Sequence, residues 1–67
     1  MIINTYNADI SGKTLRADVI NGETSQYIDF YANGKFIERY TLKNIHVDDE
    51  TFVDYVVKIY FKKISEQ

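Results

Sequence analysis

From Ile2 to Leu42, apolar and polar residues alternate with the period of two that a half-buried strand requires. The alternation breaks at Ser11-Gly12, Asn21-Gly22 and Asn33-Gly34, each a small polar residue followed by glycine, the composition of a tight turn. Three turns between four alternating runs predict strands at about 2–10, 14–20, 26–32 and 35–42, connected as an antiparallel meander. The connection at 21–25 reads either as a two-residue turn or as a longer loop.

Asn33-Gly34 is the strongest local signal, because Asn-Gly supplies the two positive φ angles of a type I′ hairpin turn. A two-residue turn there pairs Ala32 with Lys35, Tyr31 with Phe36, Phe30 with Ile37, Asp29 with Glu38, Ile28 with Arg39 and Tyr27 with Tyr40. Extended upstream, that register puts Leu15, Ala17, Val19, Ile2, Tyr6, Ala8 and Ile10 on the face of Ile28 and Phe30, the predicted core face. The other face receives Ile3, Ile20, Tyr27, Tyr31, Phe36, Tyr40 and Leu42 together with Asp9, Asp18, Asp29 and Glu38. The fourth run fits less well, giving the core face only Ile37 among Lys35, Arg39 and Thr41, as an edge strand would.

Beyond Leu42 the pattern changes. Lys43 to His46 reads as a connector, and Asp48 as a helix cap with Val47 and Phe52 as its hydrophobic staple. Asp49 and Glu50 suit the positive end of the dipole, Lys62 and Lys63 the negative end, and Asp54 and Lys58 form an i,i+4 pair. A helix over 49–64 would bury Phe52, Val53, Val56, Val57, Tyr60 and Ile64, leaving Tyr55, Ile59 and Phe61 as surplus apolar surface for a second copy or a partner. The alternation of Val53, Tyr55, Val57, Ile59 and Phe61 also admits a fifth strand over 51–64, which would make a small all-β fold. The expected fold class is α+β: a single domain over 1–67, with a four-stranded antiparallel meander and one C-terminal helix packed on one face. Four strands at ~4.8 Å spacing span roughly 19 Å, whereas one helix is only ~10–12 Å across. One sheet face is therefore left uncovered.

Composition narrows the function classes. Ten acidic against eight basic residues leave a net charge of −2, which disfavours a partner bound through phosphates. With no cysteine, neither disulfides nor thiolate metal ligation can support a chain that buries only ~60% of its unfolded surface. A homodimer is the remaining support. No apolar run approaches the roughly 20 residues of a bilayer span, so no membrane association is expected and the expected location is the cytoplasm. Proline is absent, and Ile, Asn, Lys and Tyr are frequent, a usage that matches AT-rich codons and points to a low-GC bacterium or phage. For a phage protein the location becomes the host cytoplasm.

Candidate chemistry is sparse. Gly12-Lys13-Thr14 has the order of the end of a phosphate-binding loop, but position 7 is Asn where that loop needs glycine. His46 is the sole histidine and has no cysteine beside it, so no metal site is expected. No nucleophile, base and orienting acid can be placed together, and an open sheet face encloses no pocket, so neither an enzyme nor a cofactor is expected. The uncovered face remains. Tyr27, Tyr31, Phe36 and Tyr40 interleaved with Asp9, Asp18, Asp29 and Glu38 make an acidic and aromatic surface of the kind that binds proteins. The expected function is a small non-enzymatic protein that binds and inhibits or regulates a macromolecular partner with a basic surface. Its narrowest form is a phage-encoded inhibitor of a host nucleic-acid-handling or defence complex, an anti-CRISPR-like role. The alternatives are a single-stranded nucleic-acid module that stacks bases on the same aromatics and a subunit of a larger assembly.

Overall fold

A computed structural model describes residues 1–42 and 49–67. The expected cap at Asp48, the staple residue Val47 and the lone His46 lie outside the described residues. Four strands, β1 (Ile2–Ile10), β2 (Lys13–Asn21), β3 (Gln26–Ala32) and β4 (Lys35–Leu42), are followed by one helix, α1 (Glu50–Ser65). The strands lie in the order β1-β2-β3-β4, each antiparallel to its neighbour in the chain. The result is the expected α+β meander with its helix on one face.

Both tight hairpins use the predicted turn chemistry. Ser11 and Gly12 take φ of 53° and 78°, and Asn33 and Gly34 take 52° and 82°, two consecutive positive angles in each case. The Asn33 side chain also ties its turn to the neighbouring strand: Oδ1 accepts from the Thr14 backbone N–H at 3.0 Å, while the Asn33 N–H donates to the Thr14 carbonyl at 2.8 Å. The β2–β3 connection is the longer of the two readings, with Asn21 paired to Gln26. Gly22 is needed there for closeness, since its N–H meets the Ser25 carbonyl at 2.9 Å and a Cβ would lie 2.8 Å from that oxygen. Two residues more than the short turn leave strand parity unchanged, so the predicted core residues of β2 and β3 keep their face.

Two β-bulges correct the register at its outer ends. In β4, Tyr31 pairs with Phe36 as expected, but Phe30 pairs with Glu38, so Ile37 is an extra residue and everything after it changes face. Asp29 therefore faces Arg39, not Glu38, and Ile28 faces Tyr40, not Arg39. Tyr40 packs against the core, and Leu42 is buried in it, both on the face opposite to the one predicted. In β1, Asn4 pairs with Val19 and Ile2 with Ile20, so Ile3 is extra and Ile2 leaves the core face, 56% exposed.

The core joins Leu15, Ala17 and Val19 of β2, Ile28 and Phe30 of β3 and Leu42 of β4 to Val53, Val56, Val57, Phe61 and Ile64 of α1. Those helical positions follow the i, i+3, i+4 spacing of one face, which settles helix over fifth strand. Phe61, expected on the outer surface, is 5% exposed: it lies four residues after Val57 and packs edge-on against Phe30, with centroids 6.2 Å apart. Tyr60 stacks on the same Phe30 ring at 4.7 Å and meets Tyr40 at 5.6 Å. Each such buried aromatic or aliphatic side chain contributes about 1.5–3 kcal/mol of transfer free energy. The N-cap is Asp49, one residue later than expected, its carboxylate accepting from the Phe52 N–H at 3.2 Å.

Candidate functional site

The face of the sheet away from α1 is built in cross-strand rows, because aligned residues on neighbouring strands project to the same side. One row runs Asn7, Arg16, Tyr31, Phe36 from β1 to β4. The next runs Thr5, Asp18, Asp29, Arg39, and the third Ile2, Ile20, Tyr27, Thr41. The chain has only two arginines, and both stand on this face.

The middle row sets the electrostatics. Asp18 and Asp29 are direct cross-strand partners, so two like charges meet at the centre of the sheet, an arrangement that is unfavourable on its own. Each carboxylate is answered by one guanidinium. Arg39 grips Asp29 with two parallel hydrogen bonds, Nε to Oδ1 at 2.6 Å and Nη2 to Oδ2 at 3.0 Å. These bonds push the Arg39 pKa up and hold its charge. Arg16 places Nε 3.5 Å from Asp18 Oδ1, and the Thr5 hydroxyl donates to the same oxygen at 3.1 Å. Among the described residues no buried side-chain polar atom is left without a partner.

Aromatic rings complete the roof. The Arg16 guanidinium lies 4.1 Å from the Tyr31 ring centroid and that of Arg39 lies 3.9 Å from Tyr27, both at cation–π distance. Phe36 packs edge-on against Tyr31 with centroids 5.8 Å apart and remains 53% exposed. As a consequence Asp18 and Asp29 are 7% and 4% exposed although, among the described residues, no other element covers this face. Negative charge lies beneath, and guanidinium and aromatic edges lie on top.

Of the predicted contact residues, Tyr27, Asp29, Tyr31, Phe36 and Asp18 come together here, with Asp9 exposed near the β1–β2 turn. Glu38 and Tyr40 do not join them. The Ile37 bulge turns both to the helix side, where Glu38 accepts from Lys63 Nζ at 3.4 Å and Tyr40 touches Tyr60. Tyr55 and Ile59 stand on the outer side of α1, 61% and 45% exposed, one helical turn apart, while Phe61 is in the core. Arg16 and Arg39 are the residues that sequence reasoning passed over. Arg16 was readable, since it shares a strand and a parity with Asp18; Arg39 reaches the face only through the bulge.

A second feature lies where β1 meets the start of α1. Tyr6, Glu50, Thr51 and Asp54 line an open depression of about 330 Å³. Burial pushes the Tyr6 hydroxyl pKa up from 10.0, and the carboxylates of Asp54 and Glu50 push it further. Asp54 itself is paired with Lys58 at 2.9 Å. Among the described residues, no three His, Cys, Asp or Glu side chains converge as a metal-holding group, and no helix is long and apolar enough to cross a membrane.

Comparison of the chain with protein-family models, with curated proteins and with solved structures finds no match.

Proposed function

We propose that the chain is a small interaction protein that engages a macromolecular partner through the open sheet face and regulates or inhibits it by occupying it. The observation that carries this reading is the state of the face itself: Tyr27 and Tyr31 are held by guanidiniums, the guanidiniums by carboxylates, and Phe36 stands exposed beside them. Tyrosine, arginine and other large side chains dominate binding hot spots, and side chains already locked in one geometry lose little rotamer freedom on binding. The narrower form, an inhibitor of a host nucleic-acid-handling or defence complex, draws its support from the size and net charge of the chain alone. Base stacking on the same face draws less support, because each tyrosine already carries a guanidinium and two carboxylates lie beneath. Tyr55 and Ile59 on α1 supply a second candidate surface, for self-association.

Affinity capture from the organism of origin or its host tests the choice of surface. Tyr31→Ser with Phe36→Ser should abolish capture of a partner that the unaltered chain retains, while Tyr55→Ser with Ile59→Ser should keep it. Circular dichroism confirms that both variants are folded. The opposite outcome would move the interface to the helix.

A further inference from the structure

We propose that the group this face takes from its partner is a carboxylate presented next to an apolar side chain on an acidic protein segment, with Arg16 as the receiving cation. The inference rests on the reading of the open face as the interaction surface, and it reverses the charge that the composition of the face suggests.

The reversal follows from layering. Asp18 and Asp29 have side chains only 9% and 6% exposed, whereas those of Arg16 and Arg39 are 44% and 49% exposed. An approaching lysine would meet guanidiniums before it met either carboxylate. An approaching carboxylate meets positive charge at once.

The two arginines are not equivalent. Arg39 commits two of its donors to a bidentate grip on Asp29. Arg16 is held by one long contact through Nε, and its two Nη groups have no hydrogen-bond partner among the described residues. A guanidinium carries five N–H donors in a rigid fork that matches a carboxylate. The Tyr31 ring, 4.1 Å from Arg16 Cζ, holds that fork over the sheet and so reduces the rotamer freedom lost when a partner binds.

The apolar half of the recognition lies in the same row. Arg16 is aligned with Tyr31 and Tyr31 with Phe36, so their backbones stand two strand spacings apart, ~10 Å. The guanidinium shortens that gap by lying over the Tyr31 ring, which is itself 5.8 Å from the Phe36 ring. In an extended segment, residues two apart project to the same side and are separated by ~7 Å. A partner strand with an acidic residue and an apolar residue at that interval would reach Arg16 and Phe36 together. Nucleic acid fits less well, because phosphate tracking needs several cations along the backbone and, among the described residues, this face offers one uncommitted guanidinium on a chain of net charge −2.

Because the chain has two arginines, its side-chain Nε–Hε spectrum contains two signals, and Arg16→Gln assigns them. The test is an NMR titration of the full chain with three probes: a short peptide carrying Glu and Phe two residues apart, its counterpart with Lys in place of Glu, and a single-stranded oligonucleotide. The Glu peptide should shift the Arg16 Nε–Hε signal and the amides of Tyr31 and Phe36 to saturation. Arg16→Gln should weaken it at least about tenfold, with Arg16→Lys restoring only part. Equal or tighter binding of the Lys peptide at these residues would overturn the carboxylate while leaving the open face as the interaction surface. Tighter binding of the oligonucleotide there would overturn it in favour of phosphate. A Glu peptide that shifts nothing overturns the proposal, and one that shifts only signals of α1 overturns the open-face reading as well.

Discussion

Asp29 sits on the sheet face away from α1 and is nonetheless almost buried, because Arg39 closes over it. Removing one partner of such a pair is worse than removing both, since the survivor keeps its charge in a site built for two. Arg39→Ala should therefore lower the urea midpoint, and Arg39→Ala combined with Asp29→Asn should recover part of the loss. A double-mutant cycle by chemical denaturation measures the coupling, and strictly additive effects would mean that the two side chains act independently. The adjacent Asp18 makes the cost sharper, because the Asp29 carboxylate freed of Arg39 would face a second carboxylate across the strand. Arg16 has a looser hold, through one contact at 3.5 Å, so its truncation should disturb the roof less.

At the scale of the element, the extra residue in β4 decides which side chains share a face. Deleting Ile37 should leave Tyr31 opposite Phe36 and Asp29 opposite Arg39, because it removes only the unpaired residue. The variant should stay folded with a stability loss of about 1 kcal/mol from altered local twist, and with the Asp29–Arg39 cross-strand contacts intact by NMR. Loss of those contacts would show that the bulge is needed to set the register. The same residue explains how far the sequence could be read. Asn33-Gly34 marks its turn by chemistry, and parity carries that information through β2 and most of β1. A bulge has no such mark: Ile37 follows Phe36 and precedes Glu38, a run equally compatible with regular pairing. The one trace was the poor fit of β4, which offered Lys35, Arg39 and Thr41 to the core under regular pairing. Shifting the later residues by one supplies Tyr40 and Leu42 instead. In α1 the charges foretold the helix and helical spacing placed Val53, Val56, Val57 and Ile64 in the core; Phe61 was misplaced although it stands four residues from Val57 and three from Ile64.

Across the whole molecule, the helix lies beside the sheet at its start and is bonded to it at its end. Near its start Tyr6 of β1 lies beside Glu50 and Asp54. Near its end Lys13, at the first hairpin turn, donates Nζ to the carbonyls of Ile64 and Gln67, where the negative end of the helix dipole favours a cation. Lys63 adds a bond to Glu38 of β4. Lys13→Met keeps the apolar stem and removes the charge, so it should cost about 1 kcal/mol and speed amide hydrogen exchange in the last turn of α1 before it affects β2 or β3. Uniform faster exchange over the whole chain would argue that the tether supports global rather than local stability.

The strand order has a further consequence, in the time domain. Every strand pairs with its neighbour in the chain, so each sheet contact closes only a short loop, and the sheet can zip outwards from the Asn33-Gly34 hairpin without bringing distant segments together. Docking of α1 is different. It joins the last element to the first two, as the bond from Lys13 to Ile64 across 51 positions records, and is the one step that must close most of the chain into a loop. The open face, formed wholly by the strands, can assemble before that closure; the apolar core cannot.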